Sequence, residues 1–165
     1  MSAYELLYRI GILDDAVKCL FMAGRETQAI ELADKLMNSG SSQNFNLMCL
    51  LGEMKRDHTW FVKAWEESKH SCSKAAKNLG KYYFYEGKFD LSIEYYDKTL
   101  DLNKLQKDCW FTKGCAHMRI KDYQGAIYAF GSFISIDDRN GEAWANLSNC
   151  YIAQKRYFDA VNCCE

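Results

Sequence analysis

The feature that most constrains this chain is self-similarity at a fixed step. Counting 34 residues forward from Ala76 reaches Trp110, and 34 more reaches Trp144. The same step joins Gly80, Gly114 and Ser148. It joins Tyr83, His117 and Tyr151, then Phe89, Tyr123 and Tyr157, then Ser92, Ala126 and Ala160, then Tyr96, Phe130 and Cys164. A period of this length means stacked copies of one supersecondary unit, each unable to bury its apolar face alone.

Each unit reads as two helices. Ala76, Leu79, Gly80 and Tyr83 fall at i, i+3, i+4 and i+7, one face of a helix. A polar turn, Glu86-Gly87-Lys88, follows. Ser92 and Tyr96 then mark the inner face of a second helix. Small residues at Gly80 and Ser92 let the helices approach closely, and Tyr83 and Phe89 fill the space beside that contact. The next unit carries Trp110, Lys113, Gly114, His117, Tyr123, Ala126 and Phe130, and the last carries Trp144, Leu147, Ser148, Tyr151, Tyr157, Ala160 and Cys164. A small or Trp residue, Leu, Gly, Tyr, Ala and an aromatic at these spacings form the tetratricopeptide pattern. Lys113 departs from it where Leu is expected, and its amine is expected to reach water past a packed stem. Lys104 and Asp138 stand where such units usually place Pro, which predicts looser turns between them.

The predicted fold is therefore all-α: a right-handed α-solenoid of antiparallel helix pairs, with about eleven helices and no strands. Complete repeats occupy residues 73–106 and 107–140, with a third over 141–165 cut short. Upstream, residues 44–70 hold a unit about six residues shorter, with Leu51, Gly52, Phe61 and Ala64 as its signature. Residues 1–38 are degenerate, with short helices predicted over Tyr4 to Ile10, Asp14 to Ala23 and Glu26 to Met37. Ser39 to Asn44 is the expected break. Solenoids end in a polar capping helix. Val161, Cys163 and Cys164 still need cover, so the array is expected to continue past Glu165.

Lys121-Asp122-Tyr123-Gln124-Gly125-Ala126, Gly141 to Ser148 with Tyr151-Ile152, and Lys63-Ala64-Trp65-Glu66-Glu67-Ser68 resemble the tetratricopeptide repeat protein 27 / Emw1 family. The resemblance runs from about Trp60 to Ala160. It implies an intracellular eukaryotic repeat protein without a catalytic domain, linked to chaperone-assisted assembly of large complexes and to cell integrity. It brings no enzymatic residues.

The composition agrees with a folded, packed chain. Apolar residues make up 48% of the 165, enough to fill a core, and 21 basic residues against 22 acidic ones give no excess charge for nucleic acid. There is no apolar run of membrane-spanning length and no signal-peptide layout, so a cytoplasmic, possibly also nuclear, setting is expected. The eight cysteines contain no C-x-x-C pair and the three histidines do not cluster, so no metal or other cofactor is expected. The cysteines read as small buried hydrophobes in a reducing compartment. No nucleophile triad, phosphate loop or H-E-x-x-H occurs, and His117 sits in a Tyr column, which predicts packing rather than catalysis.

First helices of such units line the groove where partner peptides lie. The groove positions are Lys74, Lys77, Asn78, Lys81 and Phe84 in the first complete unit. In the second they are Asp108, Phe111, Thr112, Cys115 and Met118, and in the third Glu142, Ala145, Asn146, Asn149 and Ile152. Lys74, Lys77 and Lys81 form a one-sided basic stripe suited to an acidic peptide, or else a solvated face. Asn146 and Asn149 suit a peptide backbone, and Phe84 and Phe111 an apolar contact. The two-carboxylate clamp that grips chaperone tails is not matched. Of its five positions only Lys77 fits, while Lys81, Thr112, Glu142 and Asn146 depart from it. A protein scaffold leads the reading. A structural spacer comes second, and an RNA-associated repeat, motivated by the lysines and by Trp60 and Trp65, third.

Overall fold

The computed structural model describes residues 13–38 and 44–163. Among these it has ten helices and no strand: α1 (Leu13–Met22), α2 (Glu26–Asn38), α3 (Phe45–Lys55), α4 (Thr59–Glu67), α5 (Ser73–Tyr85), α6 (Phe89–Leu102), α7 (Lys107–Arg119), α8 (Tyr123–Ile134), α9 (Gly141–Ala153) and α10 (Tyr157–Asn162). The helix expected over Tyr4 to Ile10, most of the Ser39 to Asn44 break, and Cys164 lie outside the described residues. The chain divides into two compact units, Met1–Asn78 and Leu79–Glu165.

In the first unit, α1 ends at Gly24. Its φ of +73° is the left-handed conformation that glycine adopts without a Cβ penalty. Arg25 N–H reaches back to the Leu20 carbonyl at 3.0 Å, the closing bond of a Schellman turn. Val17 and Leu20 pack with Ala29 and Ala33 of α2 and with Leu47, Leu50, Leu51 and Met54 of α3. Asn44 starts α3 by accepting the Leu47 amide at 3.1 Å, and its own amide donates to Asp14 at 2.5 Å. Within the short repeat, Gly52 lies against the Phe61 ring of α4, so close that a Cβ there would stand 2.5 Å from it. The pair Gly52 and Ala64 has the same twelve-residue separation as Gly80 and Ser92.

The second unit repeats this contact. A Cβ on Gly80 would stand 3.2 Å from the Tyr96 ring, and one on Gly114 would stand 2.8 Å from Phe130. Phe130 is fully buried with Ala126, Leu147 and Cys150 around it. Burying such a ring stabilises by about 1.5–3 kcal/mol relative to exposure. The first helices end in equivalent three-residue turns, with Gly87, Lys121 and Lys155 all at positive φ. The closing bonds, Lys88 to Tyr83, Asp122 to His117 and Arg156 to Tyr151, are each 2.9 Å.

Two sequence expectations change here. Lys113 does not lead its amine to water: the residue is 7% exposed, and its ammonium pairs with Asp97 of α6 and lies 5.3 Å from the Trp110 ring centroid. The ion pair replaces the Leu that the pattern expects. The turns lacking Pro are tied rather than loose. Trp110 Nε1 donates to the Lys104 carbonyl at 2.8 Å, and Trp144 Nε1 to the Asp138 carbonyl at 2.7 Å, the same bond one repeat apart.

Candidate functional site

The predicted groove positions divide by what the fold already asks of them. On the N-terminal part of α5, Lys74 Nζ lies 3.5 Å from Glu53 of α3, and Asn78 Nδ2 donates to the same carboxylate at 2.8 Å. Glu53 thus answers two of the five positions expected on this helix. Lys77 is half-buried and Lys81 exposed. The Lys74 charge of the basic stripe is therefore answered inside the first unit.

In the second unit, the aromatic candidates support helix packing. Phe84 meets Phe89 of α6 edge-on at 5.6 Å. Phe111 meets Phe130 and Phe133 of α8 at 5.7 and 5.4 Å. Cys115 and Met118 pack against the cluster around Phe130, and burial pushes the Cys115 thiol up. Thr112 donates back to the Asp108 carbonyl at 2.9 Å and also meets the buried Tyr96 phenol, whose ionisation is pushed up chiefly by burial. Asp108, Glu142, Ala145, Asn149 and Ile152 are exposed, and Asn146 is half-buried. The surface this unit offers on α7 and α9 is thus mixed: two carboxylates, two amides and an isoleucine, with Lys81 on α5.

His117 is mostly buried, as its column predicts. Its Nδ1 lies 2.8 Å from Asp122, which also accepts the Gly125 amide at 3.0 Å to start α8. That backbone bond, more than the histidine, holds the Asp122 carboxyl below its usual range.

Trp65, which with Trp60 motivated the RNA-associated reading, is 6% exposed and stacks on His70 at 5.1 Å. It stands thirteen residues after Gly52, as Ile93 and Ile127 stand after Gly80 and Gly114, so the column itself carried the signal for burial. Trp60 is half-buried, with Lys55 and Lys63 over its ring at 5.3 and 5.7 Å. Among the described residues no group of three His, Cys, Asp or Glu could hold a metal, and no helix is long and apolar enough to cross a membrane.

Helix pairs joined by a small residue set against an aromatic ring, recurring at 34 residues, define a tetratricopeptide-repeat α-solenoid. A tetratricopeptide repeat family model matches residues 73–104. A repeat-containing protein of Schizosaccharomyces pombe is 30% identical over 93% of this chain and 19% of its own length. The tetratricopeptide repeat protein 27 homolog of Dictyostelium discoideum is 34% identical over 73% of this chain and 14% of its own. Essential for maintenance of the cell wall protein 1 of Saccharomyces cerevisiae is 26% identical over 98% and 18%. The chain belongs to the tetratricopeptide repeat protein 27 family. It spans between 14% and 19% of the length of these curated relatives. Solved structures of MamA share the fold. One superposes with a TM-score of 0.76 at 19% identity over 94% of this chain and 88% of that one. A double mutant does so at 0.78 and 12%, over 99% and 92%.

Proposed function

We propose that this chain is a non-catalytic scaffold that seats a partner polypeptide across the first helices of its second unit. The single observation that carries the reading is the division just described. Phe84, Phe111, Cys115 and Met118 are committed to packing, while α9 leaves Asn149 and Ile152 exposed, with Asn146 half-buried beside them and Lys81 on the last turns of α5. Amides present both donor and acceptor to a peptide backbone, and isoleucine offers an apolar anchor. Lys81 favours a carboxylate on the partner. A cytoplasmic site and a part in chaperone-assisted complex assembly follow from the family resemblance and belong to this proposal.

The test is affinity capture of the full-length protein from cells, with bound proteins quantified by mass spectrometry. The triple variant Lys81→Glu, Asn146→Ala, Asn149→Ala is expected to lose a discrete set of partners by tenfold or more. Asp101→Ala on α6 is expected to keep them. Equal recovery with the triple variant removes the assignment to this surface.

A second reading is favoured by α10, where Tyr157, Phe158 and Val161 are exposed, Phe158 by 80%. In it the unit is a spacer, and this apolar face seats a further helix of the same polypeptide, as the short span relative to the relatives supports. Extending the chain past Glu165 then raises the melting temperature by several degrees. No rise counts against it.

A further inference from the structure

The first helices share one more column. Asn44, Cys72, Gln106 and Asn140 each stand eight residues before the small residue of their repeat: Gly52, Gly80, Gly114 and Ser148. Each precedes the first residue of a helix. Asn44 and Asn140 use the place as N-caps, their side-chain oxygens accepting the Leu47 and Ala143 amides at 3.1 and 2.9 Å. In the short repeat's successor the same place holds a thiol, and the equivalent amide, Ala75 N–H, is directed at the Cys72 sulfur.

Backbone bonds on both sides fix the residue that carries that sulfur. The Cys72 amide donates to Ser68 Oγ at 3.1 Å, and its carbonyl accepts the Ala76 amide at 3.2 Å. The Lys74 amide and ammonium add donors and positive charge. The Cys49 thiol of α3, itself wholly buried, hydrogen-bonds with Cys72, which remains half-open to solvent. An anionic sulfur is what this place stabilises, since helix N-termini favour negative charge.

We propose that Cys72 and Cys49 form a peroxide-sensitive thiol pair, in which Cys72 is the oxidised residue and Cys49 the resolving one. In the first step the Cys72 thiolate attacks one oxygen of hydrogen peroxide. The O–O bond breaks, hydroxide leaves and takes a proton to become water, and the sulfur, losing two electrons, becomes a sulfenic acid. In the second step the Cys49 sulfur gives up its proton and attacks the Cys72 sulfur. The S–O bond breaks, the proton and hydroxyl leave as water, and the S–S bond forms. Two thiols and one peroxide give one disulfide and two waters.

The electrostatics agree with this order. Cys72 is pulled down to about 6, foremost by its hydrogen bond with Cys49 and then by the Ala75 and Lys74 amides and the Lys74 charge. Cys49 is pushed up, foremost by the same bond and then by burial, so the shared proton stays with it. Once Cys72 is a neutral sulfenic acid, the anion that held that proton is gone. Two thiols of the second unit are the contrast: burial raises Cys115, and raises Cys150 to about 11. The disulfide would tie α3 to the start of α5, beside the Glu53 contacts to Lys74 and Asn78.

The test uses the full chain. Iodoacetamide alkylation is followed by peptide mass spectrometry from pH 5 to 9. A thiol of lowered pKa is also a weaker nucleophile, so the shape of the profile, not the rate at one pH, is diagnostic. Cys72 is expected to level off with a midpoint near 6, while Cys115 and Cys150 climb throughout. Low hydrogen peroxide is then expected to yield a Cys49–Cys72 linked peptide lighter by two hydrogens, restored by dithiothreitol. In Cys49→Ala, dimedone is expected to trap the Cys72 sulfenic acid, with helical circular dichroism as the folding control. A Cys72 profile that climbs like that of Cys115, or peroxide that links no Cys49 to Cys72 in the folded chain, overturns the proposal.

Discussion

Ser92 Oγ donates to the Gly80 carbonyl at 2.8 Å, a bond from the second helix of a repeat to the backbone of the first. Two repeats later the direction reverses, and Ser148 Oγ on the first helix donates to the Ala160 carbonyl at 3.0 Å, again across twelve residues. Between them, Gly114 and Ala126 make the approach with no hydroxyl at all. What the repeat keeps is the small volume at both positions, and the hydroxyl is an addition.

That volume argument is measurable. Alanine gains about 1 kcal/mol over glycine in a helix interior, and overpacking costs about 1–3 kcal/mol. At Gly80 the added Cβ meets the Tyr96 ring at 3.2 Å, so a shift of a few tenths of an ångström suffices and the two effects nearly cancel. At Gly114 the Cβ would lie 2.8 Å from Phe130, whose ring is fully buried and held edge-on by Phe111. Gly114→Ala is expected to lose about 1–2 kcal/mol in urea unfolding, and Gly80→Ala to lie near zero. Equal losses would sink the account.

Lys113 offers a sign test. Removing one partner of a buried charge leaves the other uncompensated, at about 1–3 kcal/mol or more. Replacing the pair by apolar groups is often neutral or stabilising. Asp97→Ala is expected to destabilise by about 1–3 kcal/mol, since it strands an ammonium whose side chain is 8% exposed. Lys113→Leu is expected to be neutral or better. On the Lys113→Leu background Asp97→Ala should cost almost nothing, and a full cost there would show that the ion pair is not the cause.

The contrast between these residues explains what could be read from the sequence. Gly80, Gly114, Phe130 and Ala126 were legible because helix contact depends on volume, and volume recurs in columns. The burial of Trp65 is legible only through its thirteen-residue offset from Gly52, which places it with Ile93 and Ile127. The Lys113 pair was not legible, since no column records a partner sixteen residues away. Nor was the Cys49 and Cys72 contact. Cys72 looked like one more small hydrophobe until the cap column placed it among polar residues. In the groove, spacing does not record that Phe111 and Cys115 also pack against the Phe130 cluster or that Thr112 bonds to the Asp108 carbonyl.

The turns test backbone conformation separately from packing. Gly87 has φ +74° and nothing stands within 4 Å of a Cβ built there, so Gly87→Ala isolates the left-handed cost of about 1–2 kcal/mol. Lys121 holds the equivalent place one repeat on, with φ 62°, and already bears that strain. Lys121→Gly is expected to raise stability by up to about 1 kcal/mol. Chemical denaturation of both variants checks the pair. A stabilising Gly87→Ala would show that the turn is set by something other than φ.

Asp122 makes the stability of the second unit depend on acid. Its carboxyl is held below the usual range foremost by the Gly125 amide and less by His117, so the folded state prefers it ionised. The sign follows: the stabilisation is fully present above the ordinary aspartate value of about 3.9, is lost as pH falls through the depressed folded value, and is absent below it. Asp57 and Asp137 are lowered too and lose stabilisation in the same acid window, so only a difference curve isolates Asp122. Asp122→Asn keeps an oxygen to cap α8 but cannot titrate. Between pH 5 and 2 the gap between wild type and Asp122→Asn is expected to close, the wild type losing the advantage it holds at pH 7. Asp122→Ala, which removes the cap as well, is expected to cost about 0.5–2 kcal/mol at pH 7. A gap that widens on acidification would mean that the neutral acid, not the carboxylate, is the form the turn holds.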